Sequence, residues 1–236
     1  PKWRARSAED EVALLERGLN RVTDTSIPET VMREMEHRLV RLWQAAEAAG
    51  ESKFPCHFLY DVRGDPDLPK HFQRDPAESW VLAAKEMGIP VYTPGWEDST
   101  TGNFFSAAVW KGQLKGHTAV SPGTAQLNHL LQWYLDNHGA AEGKPSVGFF
   151  QVGGGIAGDF PICAVPCLIQ DLEKDVPYWG YFSQISDAVT SYGGYSGAVP
   201  NEKITWGKLD INTPKFMIQS DASIVAPLIF AYVLGD

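Results

Sequence analysis

No apolar run in this sequence approaches the roughly 20 residues that a membrane-spanning helix needs, and no signal-peptide pattern opens it. Cysteine is scarce: Cys56, Cys163 and Cys167 are the only three in 236 residues. So few, and an odd number, exclude a disulfide framework; three buried free thiols in a reducing cytoplasm are expected. Cys163 and Cys167 stand four apart and can share a helix face, but two cysteines do not make a zinc site. Neither a metal-ligand spacing nor a Ser-His-Asp arrangement stands out among the six histidines, His37, His57, His71, His117, His129 and His138. Clustered positive charge is missing as well. Twenty Lys and Arg against 29 Asp and Glu give a net charge of −9, which argues against a nucleic-acid surface. That balance suits a small cationic substrate, drawn in by a negative field, and serves solubility equally well.

Repeats and low-complexity tracts are absent too, and the hydrophobic fraction of 44% and charged fraction of 21% are ordinary for a globular protein. The length fits a single sizeable α/β domain over residues 1–236. The first residue is Pro1, not Met, so a processed or trimmed chain is expected.

Periodicity then places the elements. Val12, Leu15, Leu19 and Val22 recur at helical spacing over residues 7–22. Ser26 and Glu29 form a capping-box pattern before a second helix over about 28–49, which Gly50 stops. Gly64, Pro66, Pro69 and Pro76 mark 61–76 as a loop. A helix over about 77–87 leads to a short buried strand at 89–93, and then to the polar loop from Gly95 to Asn103. A helix over about 124–137, strands at 147–152, 178–185 and 216–219, and a last helix near 224–234 follow. Strands alternating with helices imply an α/β fold, Rossmann-like, with a mostly parallel sheet covered on both faces.

Two stretches carry chemistry. Gly153-Gly154-Gly155 follows an apolar strand and precedes a helix, where glycines let the backbone approach a pyrophosphate; tight strand–helix turns also need glycine without any ligand. In Glu202-Lys203-Ile204-Thr205-Trp206-Gly207-Lys208, a lysine lies just past an indole and a glycine, with a carboxylate six residues upstream. A lysine attacks carbon only as the neutral amine, and burial beside an aromatic favours that form. A polyamine also wants an aromatic face and carboxylates.

The segment from Gly153 to Pro227 resembles the C-terminal part of deoxyhypusine synthase. The landmarks are the triple glycine, Ser196-Gly197-Ala198, Pro200, Glu202, Trp206-Gly207-Lys208, and Asp221-Ala222-Ser223 with Pro227-Leu228. The resemblance implies that Lys208 forms a covalent imine with a butylamine group from spermidine, and that NAD is the cofactor. It further implies that Glu202 and Trp206 grip the polyamine. Gly153, Gly154, Gly155, Asp98, Asp221 and Asp187 become candidates for holding the dinucleotide. Asp221 can also cap the final helix.

Departures from the family pattern matter as much. Asn103 stands where the family has a substrate-binding aspartate, Tyr192 and Tyr195 where it has carboxylates, and Phe160, preceded by Asp159, where it has a histidine. A hydrogen bond to a charged group contributes about 1.5–3 kcal/mol, so each loss costs about tenfold or more in affinity. Cation–π contact from the two tyrosines offsets part of this. The expectation is therefore an NAD-dependent aminoalkyl transferase whose acceptor is a small diamine (homospermidine-type chemistry). Two alternatives stand beside it: true deoxyhypusine formation on a lysine of translation initiation factor 5A, and a catalytically inactive protein that binds a dinucleotide or a partner subunit. The resemblance also implies a homotetramer, and an upstream segment of the family fold: either another chain supplies it, or this chain is a fragment of the working enzyme. No metal, nucleic acid or membrane enters this reading.

Overall fold

The computed structural model describes residues 7–22, 25–62, 64–72, 75–139, 142–143 and 146–235. The chain groups into two compact units, Pro1–Ser121 and Pro122–Asp236.

The first unit opens with α1 (Ala8–Glu16), whose N-terminus carries a reciprocal capping box between Ser7 and Asp10. The helix ends earlier than its apolar spacing suggests. Gly18 takes a left-handed φ of 65°, and the chain turns into a hairpin of β1 (Leu19–Val22) and β2 (Thr25–Pro28), in which Leu19 pairs with Pro28. Leu19 and Val22 thus belong to a strand, not to a helical stripe. Ser26 is paired in that hairpin opposite Arg21, so the expected capping box with Glu29 does not form. Glu29 instead accepts hydrogen bonds from Asn20 and Arg33.

α2 (Glu29–Ala49) ends where Gly50 adopts a left-handed cap. It packs Leu39, Trp43 and Ala46 against Phe58 and Val62 of α3 (Pro55–Val62) and Phe104, Phe105 and Ala108 of α5 (Thr100–Trp110). Trp43 meets Phe105 edge to face, with centroids 5.0 Å apart. Each such fully buried aromatic or leucine contributes roughly 1.5–3 kcal/mol of transfer free energy. Of the loop expected over 61–76, residues 61 and 62 belong to α3, and Leu68–His71 form a 3-10 turn. The next helix, α4 (Trp80–Glu86), is shorter than expected because Pro76 starts a separate 3-10 turn and Ser79 caps a fresh helix. Residues 89–93 take no regular secondary structure and pair with no strand among the described residues; an apolar run becomes a strand only when a neighbour takes up its backbone groups.

In the second unit, α6 (Gly123–Asn137) leads to β3 (Gly148–Val152). The chain continues as α7 (Ile156–Ile162), α8 (Ala164–Pro166) and a π-type turn at Cys167–Asp171. Pro161 and Pro166, which lack an N–H, break what would otherwise be one helix. β4 (Tyr181–Ser186) follows, starting three residues later than the apolar pattern suggested. Then come two single turns, α9 (Gly194–Gly197) and α10 (Glu202–Thr205), β5 (Lys215–Gln219) and α11 (Ala222–Leu234).

The sheet runs β3-β4-β5, all parallel, with Gln151 opposite Gln184 and Ile185 opposite Ile218. Successive side chains alternate faces. Phe149 and Gln151 face α7, where Gly158 abuts Gln151, whereas Phe150 meets Phe230 of α11 on the opposite face. The unit is therefore α/β with helices on both faces of a parallel sheet. Its core joins Ile162, Val165 and Leu168 to Phe182, Ile185 and Leu209. No helix among the described residues is long and apolar enough to cross a membrane.

Candidate active site around Lys208

Lys208 reaches the interior because α10 is stopped abruptly. Gly207 has a φ of 67°, a left-handed conformation that favours glycine. The Lys208 N–H closes back on the Lys203 carbonyl at 3.0 Å, and Leu209 pairs with Trp179 ahead of β4. The result is a lysine only 8% exposed. Its Nζ donates to Asp159 Oδ1 at 2.9 Å, and it stands 5.6 Å from the centroid of the Tyr195 ring. Asp159 comes from α7, 49 residues earlier in the chain, and also accepts a long 3.5 Å hydrogen bond from the Cys163 thiol. Burial pushes that thiol's pKa up, with nearby Lys208 opposing.

Tyr195 is held by the sheet. Its hydroxyl donates to Gln151 Oε1 at 2.8 Å. The buried Gln151 and Gln184 amides both donate to the carbonyl of Gly153, and Gln184 donates also to that of Ser196. Two neighbouring strands thereby tie the glycine turn to the Tyr195–Ser196 segment that lies under Lys208. Burial, reinforced by Asp159 and Cys163, raises the Tyr195 phenol far above its ordinary pKa, so it serves as a neutral ring and donor. Close approach explains two of the glycines nearby. A Cβ on Gly154 would fall 2.1 Å from Ser196 Oγ, and one on Gly158 would fall 2.7 Å from Gln151 Cδ.

The other expected residues of the second unit sit on neighbouring elements. Gly153 and Gly155 take φ values of 79° and 68°, with open space where a side chain would stand. They lie at the carboxyl end of β3. Asp187 directly follows β4, and Asp221 comes two residues after β5. All three positions are at the carboxyl ends of adjacent parallel strands, the edge where open α/β sheets receive ligands. Asp187 and Asp221 are exposed, and Asp221 caps α11 through Ser223. Glu202 opens α10 and Trp206 follows it, and both are exposed; Trp206 is 68% exposed, which is unusual for an indole. Tyr192 is 87% exposed in a turn and, unlike Tyr195, is not held against the lysine. Phe160 is half-buried; the side chain that meets Lys208 is its neighbour Asp159.

Asp98 and Asn103 belong to the first unit. Both are exposed; Asn103 sits inside α5, beyond the end of the polar loop, and Ser99 rather than Asp98 caps that helix. A cavity of about 190 Å³ opens beside this loop, between Thr93, Trp96, Ser99 and Thr101 and the aromatic floor of Trp43 and Phe58. No cluster of three potential metal ligands occurs among the described residues.

Sequence reading overlooked Lys203, which is only 3% exposed, although it lies within the same motif. Its Nζ sits 4.9 Å from the centroids of both Phe182 and Tyr195. Burial, then the neighbouring Lys208, push its pKa down.

Fold and site together define an α/β protein built around one buried, carboxylate-bound lysine beneath a glycine turn. Comparison with known proteins makes this specific: the family model for deoxyhypusine synthase matches residues 2–233, and the chain belongs to that family. A deoxyhypusine synthase-like protein of Thermosynechococcus vestitus is 28% identical over 96% of this chain and 56% of its own length. Another, from Nostoc sp., is 29% identical over 96% of this chain and 58% of its own length. A probable deoxyhypusine synthase 2 of Archaeoglobus fulgidus is 24% identical over 96% of this chain and 68% of its own. The chain thus spans somewhat over half the length of the first two relatives.

Proposed function

We propose that this chain carries out NAD-dependent aminoalkyl transfer from a polyamine, with Lys208 as the covalent nucleophile. The observation that carries the reading is a nearly buried lysine amine that meets one carboxylate and one aromatic face, at the motif by which the chain resembles its family. Asp159 is placed to take up the proton that the Lys208 ammonium must lose before it can attack. The neutral amine then adds to an imine carbon of the oxidised polyamine. It expels a small diamine, leaves the alkyl group as an imine on Lys208, and later yields that group to an acceptor amine. Glu202 and Trp206, exposed in the same motif as Lys208, supply a carboxylate that can accept an ammonium and an indole that can lie along a methylene chain.

A dinucleotide fits the strand ends of the second unit. Gly153 and Gly155 leave open space at the turn, and Asp187 and Asp221 offer exposed carboxylates to ribose hydroxyls; Asp98 is the further candidate in the first unit. NAD would supply the hydride acceptor for amine oxidation and return the hydride to the product imine.

A small diamine such as putrescine is the favoured acceptor, because Asn103, Tyr192 and Tyr195 replace carboxylates that would otherwise hold a triamine. A protein lysine is the second choice. Self-association belongs to this reading, supported by the exposed apolar side chains of α11, among them Ile224, Leu228 and Val233. The reading is tested by incubating the protein with NAD and spermidine and measuring release of the small diamine, with and without putrescine. Lys208→Ala should abolish release while dinucleotide binding persists. A protein that binds NAD yet releases no diamine from any polyamine has a binding role only.

A further inference from the structure

The cavity of the first unit, about 190 Å³ between α2, α3 and the segment that leads into α5, has no part in the transfer reading. Its floor belongs to the core: Leu39, Trp43 and Phe58 are each 2% exposed or less. Trp96 and Leu59, both half-buried, add to the apolar lining. The rings hold one another in place. Phe105 meets Trp43 at 5.0 Å and Trp96 at 5.6 Å, both edge to face. The loop side is fixed as well. The Ser99 hydroxyl donates to the Trp96 carbonyl, accepts from the Gly102 N–H at 3.1 Å and stands 3.0 Å from the Thr101 hydroxyl. A Cβ on Gly102 would lie 2.6 Å from the carbonyl oxygens of both Trp96 and Glu97, so the loop sits tightly on α5. The site is therefore preformed, as small-molecule sites usually are. Among the described residues that line it, the polar side chains are the hydroxyls of Thr93, Ser99 and Thr101, and none carries a charge. An ion seated there would lose its hydration without meeting an opposite charge, at a cost of several kcal/mol or more. A water needs two to four polar partners, and the Ser99 and Thr101 hydroxyls already engage each other. A neutral ring has neither handicap and gains edge-to-face or offset contacts with the walls. The size suits one: an apolar cavity of about 150 Å³ takes up benzene or xenon.

We propose that this cavity is a binding site for a small uncharged aromatic molecule, about one ring in size, held among Trp43, Phe58 and Trp96. The site goes beyond the transfer reading and does not depend on it, since none of its lining residues is a candidate for the covalent step or for holding the polyamine or the dinucleotide. Ser99 and Thr101 do belong to the segment that carries Asp98 and Asn103, so a ring in the cavity packs against that segment.

The test titrates the protein with benzene and, separately, with tetramethylammonium chloride, following isotope-labelled leucine methyl groups by NMR. Neither NAD nor a polyamine is present, so the outcome is independent of whether transfer occurs. Benzene should shift the methyl signals of Leu39 and Leu59 by its ring current along one saturable curve, and should raise the thermal midpoint as its concentration rises. Tetramethylammonium, a cation of similar size, should do neither. Leu59→Trp fills the cavity and should weaken benzene binding about tenfold or more. Should Leu59→Trp fail to fold, as judged by circular dichroism, Leu59→Ala takes its place: the enlarged cavity should bind naphthalene more tightly than wild type does. Benzene that leaves both leucines unshifted, tetramethylammonium that binds there as tightly as benzene, or unchanged benzene affinity in a folded Leu59→Trp overturns the proposal. So does equal naphthalene affinity in wild type and Leu59→Ala.

Discussion

Replacing Asp159 with Asn keeps the shape of the side chain and an acceptor at Oδ1 but removes its charge. The bond to Lys208 is 2.9 Å long, between a lysine side chain 10% exposed and a carboxylate 48% exposed. A charge-assisted hydrogen bond contributes about 1.5–3 kcal/mol, and the half-exposed carboxylate, screened by water, puts this one near the lower figure of about 1.5 kcal/mol. Losing the charge should therefore lower folding stability by about 1.5 kcal/mol, close to one decade in the folded-to-unfolded ratio. The sign is set by charge: the carboxylate attracts the buried lysine amine, and its removal leaves that amine without an acid. The urea midpoint should fall in Asp159→Asn with the slope of the transition unchanged. Diamine release should fall as well, because the group that receives the proton is gone. An unchanged or raised urea midpoint would refute the assignment of Asp159 as the partner of Lys208.

Other consequences follow from the same geometry. Lys203 binds its proton less readily in the folded protein than in the unfolded chain. The unfolded state therefore holds more protons between the depressed value and the ordinary lysine value near 10.4, and this group makes stability rise with pH across that window. Below it the full penalty applies, so Lys203→Met should be more stable than wild type at pH 7, read as a raised urea midpoint; a lowered midpoint contradicts this. Gly154→Ala should destabilise the protein by about 1–3 kcal/mol, because its Cβ would stand 2.8 Å from the Ser196 backbone as well as against its hydroxyl; an unchanged thermal midpoint would show that this segment gives way. Trp206→Ala should leave stability within about 0.5 kcal/mol, since the indole is largely exposed, and weaken polyamine binding by about 1 kcal/mol. Calorimetric titration with spermidine checks that loss.

How much of this was legible in the sequence depends on the range of the interaction. The parallel strands β3 and β5, helix α6 and the glycine turn were readable because their apolar patterns and turn residues are local. The hairpin at Leu19–Pro28 was hidden, since Leu19 and Val22 continue the helical spacing of Val12 and Leu15; Gly18 was the one signal against it. Residues 89–93 have the composition of a strand, but a strand also needs a neighbour, which composition does not report. The site divides in the same way. Lys208, Glu202 and Trp206 share one motif and were found together, and the triple glycine stood out by itself. The contact between Asp159 and Lys208 joins residues 49 apart, and the burial of Lys203 depends on Phe182 and Tyr195 closing over it. Only the tertiary structure distinguishes that lysine from an ordinary surface one, and only it separates Asp159 from its neighbour Phe160.

Trapping the covalent intermediate tests the central claim most directly. The protein is incubated with NAD and spermidine, treated with borohydride, digested and mapped by mass spectrometry. The account predicts a butylamine-sized mass on Lys208 that is absent from Lys208→Ala. Confirmed NAD binding with no adduct on Lys208 from spermidine or any other polyamine would contradict it.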